Sequence, residues 1–438
     1  MNITIAGTGY VGLVTGVCLA EKGHKVICYD HDEKKTAALS AGVPLIYEPG
    51  LEAMLDRNMK EGKLAFTSDP EIAYRNPECI FLAVGTPEKE DGSADLSFIY
   101  SACGVIANKL GHETVIAIKS TVPSGTNEKL RAFFKQNLSI PVHMVSNPEF
   151  LREGSGIRDT FQADRIIIGS DSLKAARTVE EVYAPFSVPI VHMDAKSAEL
   201  AKYASNAFLA AKISFINEMA HLCERLGANI DDVAAGMGLD KRIGSRFLQA
   251  GAGFGGSCFP KDTKALGRMA EEHQYEFRIL KALMEVNAIQ KKVLLQKAKS
   301  IMPLAGKNAA VLGLAFKPNT DDIREAPSIE LIRDLVEEGA SVSVYDPIAS
   351  SRAMEVLPDS VHFAASIHEA IHGKDLAFIT TEWAEICRFP LSAYKEFMRD
   401  PLVLDGRNCY TLQEAESANI RYISIGRPEC PARSAVFW

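Results

Sequence analysis

Asn2-Ile3-Thr4-Ile5-Ala6-Gly7-Thr8-Gly9-Tyr10-Val11-Gly12 is the stretch whose reading decides the fold. The apolar run reads as a strand and the glycines as a tight turn, which leads into an amphipathic helix to Lys22 and a second strand, Lys25–Asp30. Strand, glycine-rich turn, helix and strand make a βαβ unit. Gly7, Gly9 and Gly12 permit the turn and the close approach of a pyrophosphate, whose charge the N-terminus of the helix favours. Asp30 closes the second strand, where its carboxylate can bond a ribose 2′-hydroxyl and would repel a 2′-phosphate, so the spacing predicts NAD rather than NADP. A glycine motif of this kind occurs by chance; strand, helix and acid in register set this one apart.

Outward from this unit, strand-like runs occur at Cys79–Val84, Thr114–Lys119, Val142–Ser146 and Arg165–Ile168, separated by helical or loop segments. The pattern predicts a parallel doubly wound sheet and an N-terminal NAD-binding Rossmann domain over residues 1–195. From Ser197 to Leu226 there is no glycine or proline, and Gly227 supplies a stop. One helix of about 45 Å is expected there, at the usual rise per residue, opening a helical connector and dimerisation domain over residues 196–302. After Pro303 a second βαβ unit begins: strand Asn308–Leu312, turn Gly313-Leu314-Ala315, helix Ser328–Glu338, strand Ser341–Tyr345. With further strands at Leu376–Thr380, Leu402–Leu404 and Ile420–Ser424, it predicts a smaller Rossmann-like domain over residues 303–438. The expected class is α/β, two Rossmann-like doubly wound domains joined by a long central helix, with ligands in the cleft between them.

The totals exclude other classes. At 438 residues, 47% apolar and 24% charged, the chain is expected to be globular with two or three domains. A net charge of −8 argues against a general grip on nucleic acid. Met1 leads straight into a strand, with no leader pattern, and no long apolar run predicts a membrane span. Nine cysteines without a C-x-x-C pair point to neither a disulfide framework nor a zinc site, and no metal is expected. A reducing, cytoplasmic location is expected.

Eight of those cysteines read as buried structural residues; Cys258 does not. It comes after Gly251-Ala252-Gly253-Phe254-Gly255-Gly256-Ser257 and precedes Phe259-Pro260-Lys261-Asp262. Glycine this dense is tolerated where a ligand approaches the main chain. If Pro260 opens a helix, Cys258 stands at its N-terminus, where the dipole and Lys261 raise the thiolate fraction. A thiolate beside a nicotinamide site suits oxidation of an aldehyde to an acid, through a thiohemiacetal and a thioester.

On the long helix Glu199, Lys202 and Asn206 share one face. Taken alone, Glu199 and Lys202 read as a solvated ion pair worth about 0.3 kcal/mol. Asn147–Gly154, Lys119–Pro123 and Val84–Pro87 come directly after strands at the carboxyl edge of the first sheet, the usual ligand edge, where Thr86 and Thr121 can reach a cofactor.

Together Gly7–Gly12, Val84–Pro87, Lys119–Pro123, Asn147–Gly154, Lys202-Tyr203-x-x-Asn206, Gly253–Asp262 and Leu314–Arg324 resemble the UDP-glucose/GDP-mannose dehydrogenase family, in order along the chain to about Arg427. Arg242-Ile243-Gly244, then Phe247-Leu248 and the Cys258 loop, are more similar to the branch that oxidises UDP-glucose than to those acting on GDP-mannose or UDP-N-acetylmannosamine. The resemblance implies a four-electron oxidation to the uronate with two NAD⁺ and water. It implies that Lys202, Asn206 and a water held by Asp262 manage the alcohol proton and the oxyanion. Cys258 is then the nucleophile, and Glu153 the acid/base for hydrolysis with Thr121 positioning the water. For substrate the matching positions are Glu149, Phe150, Leu151, Arg152, Glu153, Lys202, Asn206, Phe247, Leu248, Gln249, Ala250, Gly251 and Gly255, with Arg242 and Lys317 toward the diphosphate. For cofactor they are Gly7, Gly9, Tyr10, Val11, Gly12, Asp30, Lys35, Thr86, Thr121, Glu153, Lys261 and Arg324. A homodimer through the long helix is also implied. Two rivals stay open: another hexose nucleotide with the same mechanism, and a catalytically silent nucleotide-sugar-binding protein. The tail ending Ser434-Ala435-Val436-Phe437-Trp438 lies outside the shared motifs and has no assigned role.

Overall fold

In the computed structural model residues 1–430 are described, so the C-terminal tail lies outside the described residues. The first sheet holds β1 (Asn2–Ala6), β2 (Lys25–Tyr29), β3 (Leu64–Thr67), β4 (Cys79–Leu82), β5 (Thr114–Ile118), β6 (Val142–Ser146), β7 (Ile166–Gly169) and β8 (Ile190–Met193). The second holds β9 (Asn308–Leu312), β10 (Ser341–Tyr345), β11 (His362–Phe363), β12 (Leu376–Ile379), β13 (Leu402–Asp405) and β14 (Arg421–Ile423). Their orders are β3-β2-β1-β4-β5-β6-β7-β8 and β11-β10-β9-β12-β13-β14. Each sheet reverses direction of winding at its first strand, between β1 and β4 and between β9 and β12, which is the switch point of a doubly wound fold where ligands collect.

The central strands are apolar throughout because both faces are covered. In β4, Cys79 and Phe81 join one buried cluster while Ile80 and Leu82 join the other; β5 divides likewise, Val115 and Ala117 from Ile116 and Ile118. The strands that sequence patterning misses, β3, β8 and β11, are all edge strands. An edge strand buries little, and β8 shows it, with Val191 and His192 exposed, so no apolar alternation marks it. Two strands run against the parallel expectation: β7 pairs antiparallel with β6 through Ser146 and Gly169, and β8 is parallel to β7. After β6 the chain remains at the edge it has reached, and β7 starts back from there.

The long helix spans Ala195–Leu226. The chain forms two compact units, Met1–Ser205 with Lys264–Tyr275, and Asn206–Thr263 with the chain from Glu276 onward. Two of the boundaries, after Ser205 and after Thr263, fall inside helices, the long one and Phe259–Glu272. Among the described residues no helix is long and apolar enough to cross a membrane. Of the cysteines expected to be buried, Cys387 and Cys409 are only half-buried. Cys387 ends the short helix Ala384–Cys387 and Cys409 lies just beyond β13, and chain at the ends of such elements stays near solvent.

Candidate active site

In the first unit the glycine turn meets the steric demands of its motif. Gly7 has φ +99°, and a Cβ there would lie 2.9 Å from the Ala83 carbonyl oxygen; one on Gly12 would lie 2.0 Å from the Gly7 oxygen. The helix Tyr10–Glu21 starts with Gly9 as its cap, with no side chain satisfying the first N–H groups and no acid in the first turn. Those donors suit an anion, and the turn fits a dinucleotide pyrophosphate. Val11 lies in the same first turn.

Asp30 accepts hydrogen bonds from the Thr8 N–H (2.9 Å), the Thr8 hydroxyl (2.7 Å) and the Lys35 ammonium (2.9 Å). Burial opposes its charge, but the Lys35 and Thr8 bonds outweigh that and hold its pKa at about 2. It is therefore an anion at any working pH, as 2′-hydroxyl recognition requires, and Lys35 is first of all its counter-ion. Thr86 donates to the Thr121 carbonyl at 2.9 Å, which joins the two loops expected at this edge.

Glu199 and Lys202 are not the solvated pair that helix spacing suggests; each is 3% exposed. Lys202 donates to Glu149 Oε1 at 2.8 Å, a buried ion pair. Glu199 instead accepts from the N–H groups of Gly125 (2.6 Å) and Asn127 (2.7 Å), capping the helix Thr126–Asn137 and anchoring the end of the Thr121 loop. Burial raises its carboxyl to about 7 against the pull of those bonds. The second Glu149 oxygen takes the Leu151 N–H, and the Phe150 ring lies beneath the Arg165 guanidinium, 3.7 Å from its centroid, and within 5.4 Å of the Lys202 ammonium. Arg152 forks onto Asp159 at 2.9 and 2.6 Å, an interaction that shapes the loop around Glu153.

In the second unit Asn206 donates to Asp262 Oδ2 at 2.7 Å, and Lys261 to Asp262 Oδ1 at 2.6 Å. Lys261, expected to assist the thiol, is therefore already paired. Cys258 accepts the Asp262 N–H on its carbonyl at 2.9 Å, so it is the capping residue of Phe259–Glu272. A helix N-terminus is a position that favours negative charge. The glycines before it answer to the protein itself: a Cβ on Gly251 would lie 2.8 Å from the Gly406 oxygen, and one on Gly255 2.2 Å from the Glu325 oxygen. The loop packs tightly on segment 316–326, with Gly256 N–H donating to the Arg324 carbonyl at 2.8 Å.

Phe247 holds φ +65°, a strained conformation for an aromatic residue. Leu248 and Ala250 are buried, Gln249 is exposed, and Gly251 is held by Asn217 Oδ1 at 2.9 Å and by the Gln290 amide at 2.7 Å. Lys317 lies 5.2 Å from the Phe316 ring centroid, and Arg324 forks onto Asp322. Arg242 stands apart: 89% exposed, it pairs with Asp240 and is not gathered with the others.

Three groups escape sequence reading. Glu48 is 6% exposed in a segment that reads as loop. Lys119 is buried against Asn147 (3.1 Å) and Tyr183 (2.9 Å), and burial, with Lys202 adding to it against Glu149, lowers its pKa to about 8. Arg407 donates to the Phe316 carbonyl at 3.0 Å, beside Lys317. It lies just beyond β13, so the strand-edge rule applied to the second sheet would have found it.

Comparison with known proteins agrees with this geometry. The UDP-glucose/GDP-mannose dehydrogenase family matches by its NAD binding domain at residues 1–187, its central domain at 196–289 and its UDP binding domain at 310–412. The chain is 51% identical to UDP-glucose 6-dehydrogenase YwqF of Bacillus subtilis, over 98% of each, and 45% identical to UDP-glucose 6-dehydrogenase of Rhizobium meliloti, over 98% of this chain and 100% of that one. Its fold is similar to a UDP-glucose dehydrogenase from Pyrobaculum islandicum, at TM-score 0.91 and 40% identity over 98% of both chains. A turn built for a dinucleotide, a capping cysteine and three matched domains in order lead to one conclusion: the chain belongs to the UDP-glucose/GDP-mannose dehydrogenase family.

Proposed function

We propose that this enzyme oxidises the 6-hydroxymethyl group of UDP-glucose to the carboxylate of UDP-glucuronate, with Cys258 as covalent nucleophile. The observation that carries the reading is Cys258 at a helix N-terminus, half-buried, one helical turn before an Asp262 bonded to Asn206. A dehydrogenase that stops at the aldehyde needs no nucleophile there. Identity of 51% to one curated UDP-glucose enzyme, against 26% to a UDP-N-acetylmannosamine dehydrogenase structure from Pyrococcus horikoshii, supports the choice of sugar.

Bound NAD⁺ supplies the hydride acceptor, two being needed because alcohol to acid is a four-electron change. Gly7, Gly9, Tyr10, Val11, Gly12, Asp30, Lys35, Thr86 and Thr121 would hold it, with Glu153, Lys261 and Arg324. Lys202 and Asn206 donate toward the oxygen of the reacting alcohol, whose proton would pass to a water held by Asp262 as the hydride leaves its carbon, giving the aldehyde; Asp262 also orients the Asn206 amide. The Cys258 thiolate adds to the aldehyde carbon to give a thiohemiacetal; loss of hydride from that carbon leaves a thioester. Water attacks the thioester with Glu153 as acid/base and Thr121 positioning the nucleophile, releasing the carboxylate and regenerating the thiol. Glu149–Arg152, Phe247–Gly251, Gly255, Arg242 and Lys317 would bind the sugar nucleotide. In this reading residues 1–195 bind NAD, 196–302 connect and dimerise, and 303–438 bind the UDP moiety. We assign the enzyme to the cytoplasm, where a nucleophilic thiol stays reduced.

The test is a substrate panel read by NADH absorbance. UDP-glucose is expected to be oxidised with about two NADH per sugar acid, as a thiol relay requires. Turnover of UDP-N-acetylmannosamine or GDP-mannose with none of UDP-glucose would overturn the substrate, and a flat trace with all three would overturn the enzyme.

The homodimer is supported by an apolar stripe on the long helix: Phe208, Phe215 and Leu222, seven residues apart, are 67%, 52% and 44% exposed. An unpartnered stripe at that spacing suits a facing helix. Sedimentation is expected to give twice the chain mass, and the double variant Phe208→Glu, Phe215→Glu the single mass; a wild type that sediments as a monomer at micromolar concentration contradicts the dimer.

A further inference from the structure

We infer that Glu48 and Tyr10 form a clamp that positions Glu153, tying the loop after β6 to the turn that opens the helix Tyr10–Glu21. The inference rests on the proposed role of Glu153 and adds two residues that act through it. Tyr10 comes directly after Gly9, as the first residue of that helix. Its hydroxyl lies 2.7 Å from Glu48 Oε2 and 3.0 Å from the Arg152 carbonyl. Glu48 Oε2 also accepts the Gly154 N–H at 2.7 Å, and Oε1 the Ile157 N–H at 3.2 Å.

Glu153 lies between the two residues so held. The Arg152 carbonyl belongs to the peptide before it and the Gly154 N–H to the peptide after it; Glu48 accepts from the second, and the one Tyr10 proton is shared between Glu48 Oε2 and the first, so the same pair of side chains contacts both peptides flanking Glu153. Gly154 itself has φ +79°, a conformation the Glu48 bond helps to hold. Packing reinforces the contact, since a Cβ on Gly156 would lie 2.4 Å from the Tyr10 oxygen and the ring rests directly on the loop.

Stability alone is a poor account of Glu48. Among the described residues no cation pairs with it, so a carboxylate 6% exposed has only hydrogen-bond donors to offset its lost hydration. A neutral side chain would be cheaper to bury. What the carboxylate alone provides is simultaneous acceptance from a hydroxyl and two backbone N–H groups on two separate segments. The consequence is that Glu153 cannot shift without disturbing the first turn of the helix at the cofactor motif.

Tyr10→Phe keeps the ring and removes the hydroxyl, and Glu48→Gln keeps the shape and one acceptor oxygen. Tyr10→Phe is expected to lower kcat about tenfold, with KM for UDP-glucose within about twofold, and Glu48→Gln to lower it less than Glu48→Ala. In a Glu153→Gln background the same Tyr10→Phe change is expected to cost less than about twofold, because residues acting as a unit are not additive. Losses that multiply in the double variant overturn the clamp, and so does a Tyr10→Phe enzyme with normal kcat. Amide hydrogen exchange on the ligand-free protein reads the same clamp without activity: exchange at residues 152–157 is expected to speed up about tenfold in Tyr10→Phe. Unchanged exchange there overturns the inference even where catalysis falls. If the wild type fails to oxidise UDP-glucose, the functional reading fails, and exchange still decides the clamp.

Discussion

Replacing Cys258 with serine abolishes sustained formation of sugar acid, with an expected loss of at least about 10⁴-fold. Serine fits the space and can cap a helix as well as cysteine or better, so the fold is preserved. Chemistry is what changes. The N-terminus of Phe259–Glu272 favours a negative charge on the capping side chain by roughly 1 kcal/mol, enough to move a thiol toward thiolate at neutral pH but negligible against the ionisation cost of a hydroxyl. Lys261 does not add to that effect in full, since its ammonium is committed to Asp262 at 2.6 Å. A serine alkoxide is thus not available to attack the aldehyde, and neither the thiohemiacetal nor the thioester has a counterpart. The assay is acid formation by chromatography alongside NADH absorbance, with the unfolding midpoint as a check on folding. A serine variant producing acid at the wild-type rate removes Cys258 from the mechanism.

The cysteine and the glycine turn are legible in sequence because each is a local pattern whose chemistry depends on neighbours along the chain. Gly7 to Gly12 and Asp30 can be read as one unit since a single βαβ crossover brings them together. Glu48 and Lys119 cannot. Glu48 meets Gly154 across 106 positions of chain, and nothing in Tyr47-Glu48-Pro49-Gly50 says that its carboxylate is buried. The same limit misassigns Glu199 and Lys202, whose helix spacing permits an ion pair with each other while the fold gives each a different partner. The glycines at 251–256 mark a close approach in which the chain's own backbone at Glu325 and Gly406 is one partner. Density of glycine signals crowding without naming the neighbour. Edge strands such as β8 fail for the opposite reason, having too little burial to leave a pattern.

Lys202→Met is expected to produce two separable losses, one in stability and one in rate. Lys202 and Glu149 are buried at 3% and 6% side-chain exposure and lie 2.8 Å apart. Removing the ammonium leaves the carboxylate uncompensated, a change that ordinarily costs about 3–5 kcal/mol. Lys119 moderates the loss. Burial lowers its pKa to about 8, with the Lys202 charge acting in the same direction, so without Lys202 the remaining lysine holds its proton more firmly and faces Glu149 alone. The expected destabilisation is therefore about 3 kcal/mol, at the lower end of that range. Catalysis has no such reserve, because Lys119 is engaged by Asn147 and Tyr183 while Lys202 is one turn from Asn206 on the long helix. If Lys202 donates to the developing oxyanion as proposed, its loss is expected to lower kcat by about 10³-fold. The double variant Lys202→Met, Glu149→Gln separates the two effects. Neutralising the stranded carboxylate restores most of the denaturant midpoint, and the rate stays low. If stability is not recovered in the double variant, the pair is not what holds this region together. If kcat of Lys202→Met remains within about tenfold of wild type, the oxyanion is stabilised elsewhere.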